Sequence, residues 1–409
     1  MDIPGLPARR AALNLIDAVL RRGETLDQAA GAALARVRGN PDRALARAIA
    51  GEVLRWKADL DALIDSATGR RLPEDAKPRA VLELMLAQVL RLDTPAHAVI
   101  ATGLPLLAGG PRRLAHGVFS TLMKRQVSLP AAPTLPDAPL ARWGERAGAI
   151  AAGLVVPPPL DLALRDPAQT AEWTQKLGGA SLMPGHVRLP RGEAVEGLPG
   201  YREGAWWVQD LAASLPARML GAGEGRRVLD LCAAPGGKTL QLAAAGWQVT
   251  AIDISKRRLE RLRDNLQRTG LTAEVVQADA LTWDAPALFD AILLDAPCTA
   301  TGTSRRHPDV LHRIGARQIG EMADLQARLL DRAAGWLKPG GVLVYAVCSL
   351  EAEEGEARAA KVALSALPIV SEELPAGLSP EPGGWLRTDP GMLAEAGGLD
   401  GFFVARWRK

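Results

Sequence analysis

From Gly204 onward the chain alternates short apolar runs with segments long enough for a helix. The runs are Arg227–Leu231, Gln248–Ile252, Glu274–Gln277, Ala291–Leu294 and Gly341–Ala346. Runs this short and this rich in Val, Ile and Leu suit strands covered on both faces, and parallel neighbours need the long crossovers that separate them. The alternation predicts a doubly wound, mostly parallel, Rossmann-like sheet, an α/β fold. Such sheets bind ligands beyond the carboxyl ends of their strands. The residues that follow each run are therefore the first candidates for function.

The front of the chain has a different period. Across residues 8–126 apolar positions recur every three or four residues, as in Leu13, Leu15, Ile16, Val19 and Leu20, then Leu45, Ala48, Ile49, Val53 and Trp56, then Leu60, Leu63 and Ile64. That spacing predicts an all-α domain. Ala80–Leu92 reads as its central helix, Pro95–Ile100 as a short one, and Arg112–Gln126 as a basic last helix exposing Arg112, Arg113, Lys124 and Arg125. Residues 1–130 hold 19 Lys and Arg against 13 Asp and Glu, a net of +6, whereas the whole chain carries +3. A basic front suggests a polyanionic partner. Prolines 130, 133, 136, 139 and 157–159 predict a linker, and residues 161–200 a small connecting subdomain. The expected division is 1–130, 131–200 and 201–409.

No apolar run reaches the roughly 20 residues that span a bilayer, and Met1–Arg10 lacks an apolar signal core. The expectation is a soluble, cytoplasmic monomer with no membrane partner. Cys232, Cys298 and Cys348 are an odd number and form no CxxC pair, so neither a disulfide framework nor a metal site is expected.

The first strand runs into Cys232-Ala233-Ala234-Pro235-Gly236-Gly237-Lys238-Thr239. Glycines let backbone approach a ligand, and a following helix N-terminus favours an anionic group. A nucleotide P-loop would need glycine where Cys232 stands, and no dinucleotide GxGxxG is present. An S-adenosylmethionine loop remains. Asp253 closes the second run, placed for ribose hydroxyls, and Asp279 follows the third, placed for the adenine amino group.

Cys298, in Asp295-Ala296-Pro297-Cys298, and Cys348 both leave strand ends. Cys232 reads as a core residue. Carbon 5 of cytosine is a weak nucleophile until a thiolate adds to carbon 6, and hydrogen bonding at ring nitrogen 3 must accompany that addition. A thiolate, an acidic partner and a methyl-donor pocket together suit that reaction. Spacing alone does not rank the two cysteines.

At these residues the chain resembles the ribosomal RNA small subunit methyltransferase B (Sun or Fmu) family of RNA (cytosine-5)-methyltransferases. The resemblance rests on CAAPGGKT at 232–239, DAPCTATG at 295–302, RRHPD at 305–309, YAVCS at 345–349, Val208-Gln209-Asp210, and a front half similar to the family's NusB-like RNA-binding domain, including Pro95-Ala96-His97. It implies that Cys232–Lys238 hold the methionine part of the cofactor, Asp253 the ribose and Asp279 the adenine. It implies that Asp295 lines the cofactor and base pocket, that Cys348 is the nucleophile, and that Cys298 assists release. The implied substrate is small-subunit (16S) ribosomal RNA outside the assembled subunit. Arg305, Arg306, Lys124 and Arg125 are the expected phosphate contacts. Val347 stands where the family usually has threonine, and 161–200 is shorter than the family's connecting subdomain. Two rivals are a methyltransferase acting on DNA, protein or a small molecule, and an inactive NusB-like antitermination factor.

Overall fold

The computed structural model describes residues 3–192 and 194–409; Met1 and Asp2 of the N-terminal stretch and Glu193 of the connecting segment lie outside the described residues. The chain forms two compact units, Met1–Val156 with Ser304–Ile314, and Pro157–Thr303 with Gly315–Lys409. The divisions expected at 130 and 200 differ from this partition. The proline-rich stretch is not a bare linker but carries two helices of the first unit, and an eleven-residue segment from far along the chain belongs to that unit as well.

The first unit is helical. It comprises α1 (Leu6–Arg22), α2 (Leu26–Ala33), α3 (Asn40–Arg55), α4 (Lys57–Ser66), α5 (Lys77–Arg91), α6 (Ala96–Gly103), α7 (Gly109–Lys124), α8 (Asp137–Trp143), α9 (Ala147–Gly153) and, from the later segment, α14 (Val310–Arg313). Proline in the first turn of α1, α3 and α5 costs no hydrogen bond, because those N–H groups have no partner within the helix. The apolar stripe buries Leu15, Ile16, Val19, Ile49, Val53, Trp56 and Leu60. Each such side chain contributes about 1.5–3 kcal/mol by burial. Leu20 is exposed, and Ala48 faces solvent while Ala46 and Ala50 pack inward. The stripe is thus rotated slightly from its expected centre.

In the second unit a three-stranded antiparallel sheet has the order β2-β1-β3, from β1 (Leu160–Leu164), β2 (His186–Leu189) and β3 (Trp206–Val208), with α10 (Thr170–Leu177) between β1 and β2. The buried Asp161 carboxylate joins this sheet to the next element. It accepts from Arg188 Nε at 2.7 Å and Nη2 at 2.8 Å, and from the Leu211 amide at 3.0 Å. Against burial, Arg188 and then His186 hold its pKa well below the usual carboxylate range.

The large sheet contains β4 (Arg227–Leu231), β5 (Gln248–Asp253), β6 (Glu274–Gln277), β7 (Phe289–Asp295), β8 (Leu337–Val347), β9 (Ser365–Ala366), β10 (Leu386–Thr388) and β11 (Phe402–Arg408). Its order is β10-β11-β8-β7-β4-β5-β6, with β9 paired to β11. The five strands from β8 to β6 are parallel, while β10, β11 and β9 join antiparallel. The predicted parallel core is therefore present, and the antiparallel extension was not anticipated. Alternate side chains feed two apolar layers. One holds Val228, Ala251, Leu293 and Val344 with α11 (Leu211–Arg218), α12 (Gly237–Ala244) and α13 (Lys256–Thr269); the other holds Leu229, Ile292 and Tyr345 with α15 (Ala316–Trp336). The last short helix, α16 (Glu356–Ala359), follows β8. Among the described residues no helix is long and apolar enough to cross a membrane.

Candidate active site

The carboxyl ends of β8, β7, β4, β5 and β6 share one edge, and the loops there carry most of the residues singled out from sequence. Beyond β4, Cys232 takes the left-handed conformation at φ 61°, which turns the chain across the end of β5. The Ala233 amide donates to Ile252 O at 3.0 Å, and the Ala234 amide to Asp253 Oδ2 at 3.1 Å. Asp253 Oδ1 accepts from the Ser255 amide at 2.8 Å, and Arg258 binds both Asp253 and the Ala234 carbonyl. A carboxylate has about four acceptor sites, so Asp253 is oriented by the loop without being exhausted. Gly236, at φ 110°, lies against Leu262, whose Cδ1 would be 2.2 Å from an added Cβ. The loop can pass over α13 only without a side chain there. It then enters α12, whose first-turn amides face the edge.

In register, Asp253 pairs with Gln277, two residues before Asp279. Asp279 is exposed, and its Oδ1 accepts the local Leu281 amide at 2.9 Å. The two carboxylates thus end adjacent strands, one buried and braced and the other open. Acceptors for hydroxyl and amino groups on one side, with a helix N-terminus on the other, match a nucleoside carrying an amino-acid tail. Beneath the loop, Asp230 is fully buried and accepts from Thr239 Oγ1 at 2.6 Å. Burial, reinforced by the Asp295 charge and opposed by the Thr239 hydroxyl, pushes its pKa up to about 7.

The cysteines separate into one plus two. Burial and the charges of Asp253, Asp295 and Asp230 push the Cys232 thiol up to about 12. Cys298 and Cys348 leave β7 and β8, which pair Asp295 with Ala346, and their sulfurs lie 3.4 Å apart. The hydrogen bond with Cys348, then burial, raises the Cys298 thiol well above its ordinary value. Asp295 keeps about a third of its side chain accessible, at 32%, and Lys238 Nζ donates to its Oδ2 at 2.7 Å. Gly302 packs on a second glycine here. An added Cβ would lie 2.0 Å from Gly401 O, and the two residues exchange a hydrogen bond from Gly401 N to Gly302 O at 2.8 Å. Val347 is fully buried beside Tyr345, in the apolar layer under α15.

The basic residues expected to meet RNA divide differently. Lys124 and Arg125 are exposed at the end of α7, and Arg125 Nη1 donates to Ser66 O at 3.1 Å. Arg305 is 4% exposed, and its carbonyl accepts from Arg55 Nη2 at 2.9 Å. The expectation that Arg305 presents its charge to phosphates is corrected: it packs within the helical unit. Arg306, beside it, is half-buried. Sequence reasoning also missed Glu354, Gln326, Thr299 and Ser349, polar residues buried next to the thiol pair. For Glu354 the signal in the sequence was the glutamate run three to eight residues beyond Cys348, Glu351, Glu353, Glu354 and Glu356. Among the described residues no cluster of three or more His, Cys, Asp or Glu could hold a metal ion.

A family model described as 16S rRNA methyltransferase RsmB/F matches residues 217–408, and the NusB family matches residues 6–106. The chain is 36% identical over 433 residues to ribosomal RNA small subunit methyltransferase B of Klebsiella pneumoniae, covering 97% of each chain. A methyltransferase homologue from Pyrococcus horikoshii is 29% identical, with a TM-score of 0.55 over 67% of this chain and 93% of that one. The solved structure of PH0851 covers 100% of both chains at 23% identity with a TM-score of 0.72, a likeness of fold.

Proposed function

The chain belongs to the ribosomal RNA small subunit methyltransferase B family, and from that premise we propose that it methylates carbon 5 of a cytosine in small-subunit ribosomal RNA through a covalent adduct with Cys348. It is an S-adenosylmethionine-dependent ribosomal RNA methyltransferase; the target atom, the adduct and the residue roles are our reading. The observation that carries this reading is the 3.4 Å sulfur pair at the ligand-binding edge. Two thiols that close do not ionise together. The family resemblance gives the role of nucleophile to Cys348, and Cys298 then lies within reach to donate to its thiolate.

The loop Cys232-Ala233-Ala234-Pro235-Gly236-Gly237-Lys238 would hold the methionine part of S-adenosylmethionine, Asp253 the ribose and Asp279 the adenine. When bound, the cofactor supplies an electrophilic methyl group beside the pyrimidine. The Cys348 thiolate adds to carbon 6 as nitrogen 3 takes up a proton shared with Asp295, whose carboxyl, held by Lys238, also accepts from the amino group of the base. Carbon 5 then has the electron density to bond the methyl group, whose bond to the cofactor's sulfonium sulfur would break with the electron pair left on sulfur. A base takes the carbon 5 proton, the ring double bond re-forms and the Cys348 sulfur leaves as thiolate, with Cys298 assisting from 3.4 Å. Lys124 and Arg125 would contact RNA phosphates from the helical unit, as long cationic side chains do without reading sequence.

The test is to incubate Cys298→Ala and Cys348→Ala with unmodified small-subunit ribosomal RNA and labelled cofactor. Cys298→Ala is expected to accumulate a protein–RNA adduct that survives a denaturing gel, and Cys348→Ala to form none. An adduct with Cys348→Ala alone would exchange the two roles. Bisulfite sequencing of the product would show whether the methyl group sits on cytosine.

A further inference from the structure

One buried carboxylate touches both cysteine loops and has no place in the reaction described above. Glu354 follows Cys348 by six residues and is 0% exposed. Its Oε2 accepts from the Thr299 amide at 2.9 Å and from Gln326 Nε2 at 3.1 Å, and its Oε1 accepts from Thr299 Oγ1. Gln326 Nε2 also donates to Pro297 O at 2.9 Å. Both neighbours of Cys298 are thereby tied to Glu354, Thr299 directly and Pro297 through Gln326.

The same carboxylate reaches the other loop. Ser349, next to Cys348, accepts the Glu351 amide at 3.1 Å, and its Oγ lies 3.2 Å from Thr299 Oγ1. Because Thr299 gives its proton to Glu354, Ser349 is the donor across that gap. From β8, Tyr345 OH donates to the main-chain oxygen of Glu354 at 2.6 Å. A buried carboxylate is costly unless several donors compensate it. A turn that only needed closing could use a neutral side chain. Here the carboxylate belongs to the segment that follows Cys348, and two of its three donors, the Thr299 amide and hydroxyl, belong to the loop that carries Cys298, so its bonds span the two segments that hold the sulfurs.

We propose that Glu354 is a positioning residue for the thiol pair, holding the Cys298 and Cys348 loops at the spacing the reaction uses. The proposal rests on the reading of Cys348 as nucleophile. It concerns the alignment of two sulfurs and assigns Glu354 no contact with substrate.

The test uses the full chain and a readout besides turnover. Diamide removes one hydrogen from each of two adjacent thiols, is itself reduced to the hydrazine, and leaves a disulfide, so its rate reports how often the sulfurs meet. In Glu354→Gln an amide donor replaces one acceptor of the Thr299 and Gln326 donors. Cross-linking of Cys298 to Cys348, followed by peptide mapping, is expected to slow at least about fivefold. A misplacement on the order of 1 Å costs about 100-fold in rate, so kcat for RNA is expected to fall about 10–100-fold with KM for S-adenosylmethionine unchanged. Where Glu354→Gln fails to melt cooperatively, the double variant Thr299→Val with Ser349→Ala breaks the same link using uncharged residues. Unchanged cross-linking and a kcat within about twofold of the parent, in either folded variant, overturn the proposal. An active Cys348→Ala would instead overturn the nucleophile assignment, so the two failures are distinguishable.

Discussion

Three loops leave the same edge of the large sheet carrying a cysteine, and the loop after β4 differs from those after β7 and β8 in what surrounds the sulfur. Cys232 sits among three carboxylates, Asp230, Asp253 and Asp295, whose charges add to burial in opposing a thiolate. The sulfurs of Cys298 and Cys348 lie 3.4 Å apart, with the Glu354 carboxylate holding the Thr299 amide beside Cys298. The residue type and the strand-end position are shared, so neither identifies a nucleophile. What separates the loops is the sulfur's neighbour: three carboxylate charges bear on Cys232, whereas Cys298 and Cys348 face each other at 3.4 Å. In the proposed reading Asp253 serves the cofactor, and the three carboxylates gathered around Cys232 oppose an anionic sulfur there.

The strongest way to break this comparison is Cys348→Ser. An alcohol in place of the thiol is a far weaker nucleophile under these conditions, and methyl transfer to RNA is expected to drop at least about 1000-fold. S-adenosylmethionine binding, measured by calorimetry, should be unchanged. Turnover within about tenfold of the parent would mean that the thiol pair is not where the chemistry occurs. The complementary change on the cofactor side is Asp253→Asn, which keeps the shape but replaces one acceptor by a donor facing the Ala234 or Ser255 amide. Each hydrogen bond to a charged group is worth about 1.5–3 kcal/mol, so cofactor affinity is expected to weaken about 10–100-fold. Unchanged affinity would remove Asp253 from the cofactor site.

The difference between the loops was only half legible in sequence. The parallel strands could be read because all but the edge strand β6 are apolar runs largely buried on both faces, and the residues after them followed from the geometry of such sheets. The extension β9–β11 escaped because β9 and β10 are very short and the intervening segment has no helical period. Burial at the site depends on long-range packing. Arg305 looks like surface charge in RRHPD, yet it is buried in the helical unit with Arg55 bonded to its carbonyl. Glu354 looks like one more acid in a solvated run, and only the fold brings Thr299 and Gln326 to it. The sulfur–sulfur distance, which carries the functional reading, joins positions fifty residues apart.

A smaller effect tests the helical unit. Neutralising Lys124 and Arg125 together, as Lys124→Gln and Arg125→Gln, removes two exposed charges at the end of α7. If both meet phosphates, the slope of log affinity for RNA against log salt should flatten by about 1.4–1.8, the single-strand and duplex values for two charges. Specificity among RNAs of equal length should not change. A parallel salt dependence in parent and variant would exclude this helix end from the RNA interface. That result would also leave the basic excess of the front half without a mapped contact.

The smallest expected effect is the most pointed, because it concerns the cysteine that should do nothing. With a pKa of about 12, Cys232 is thiolate in only about one molecule in 10,000 at pH 8, and the thiolate is the reactive form. Iodoacetamide at pH 8 should therefore label Cys348 well before Cys232. Labelling at Cys232 should rise about tenfold per pH unit between pH 9 and 11, where a thiol of ordinary pKa has already levelled off. The linkage has a definite sign: a raised folded-state pKa means that any stability owed to the neutral thiol is complete below its ordinary value and is lost as pH climbs toward 12. Cys232→Ala removes the titrating group while leaving the backbone amides that shape the loop. Its methyl-transfer rate should stay within about threefold of the parent, since an alanine at this position loses little beyond packing. A large loss of activity in Cys232→Ala, with cofactor affinity intact, would show that three carboxylates are not enough to silence a thiol at this edge.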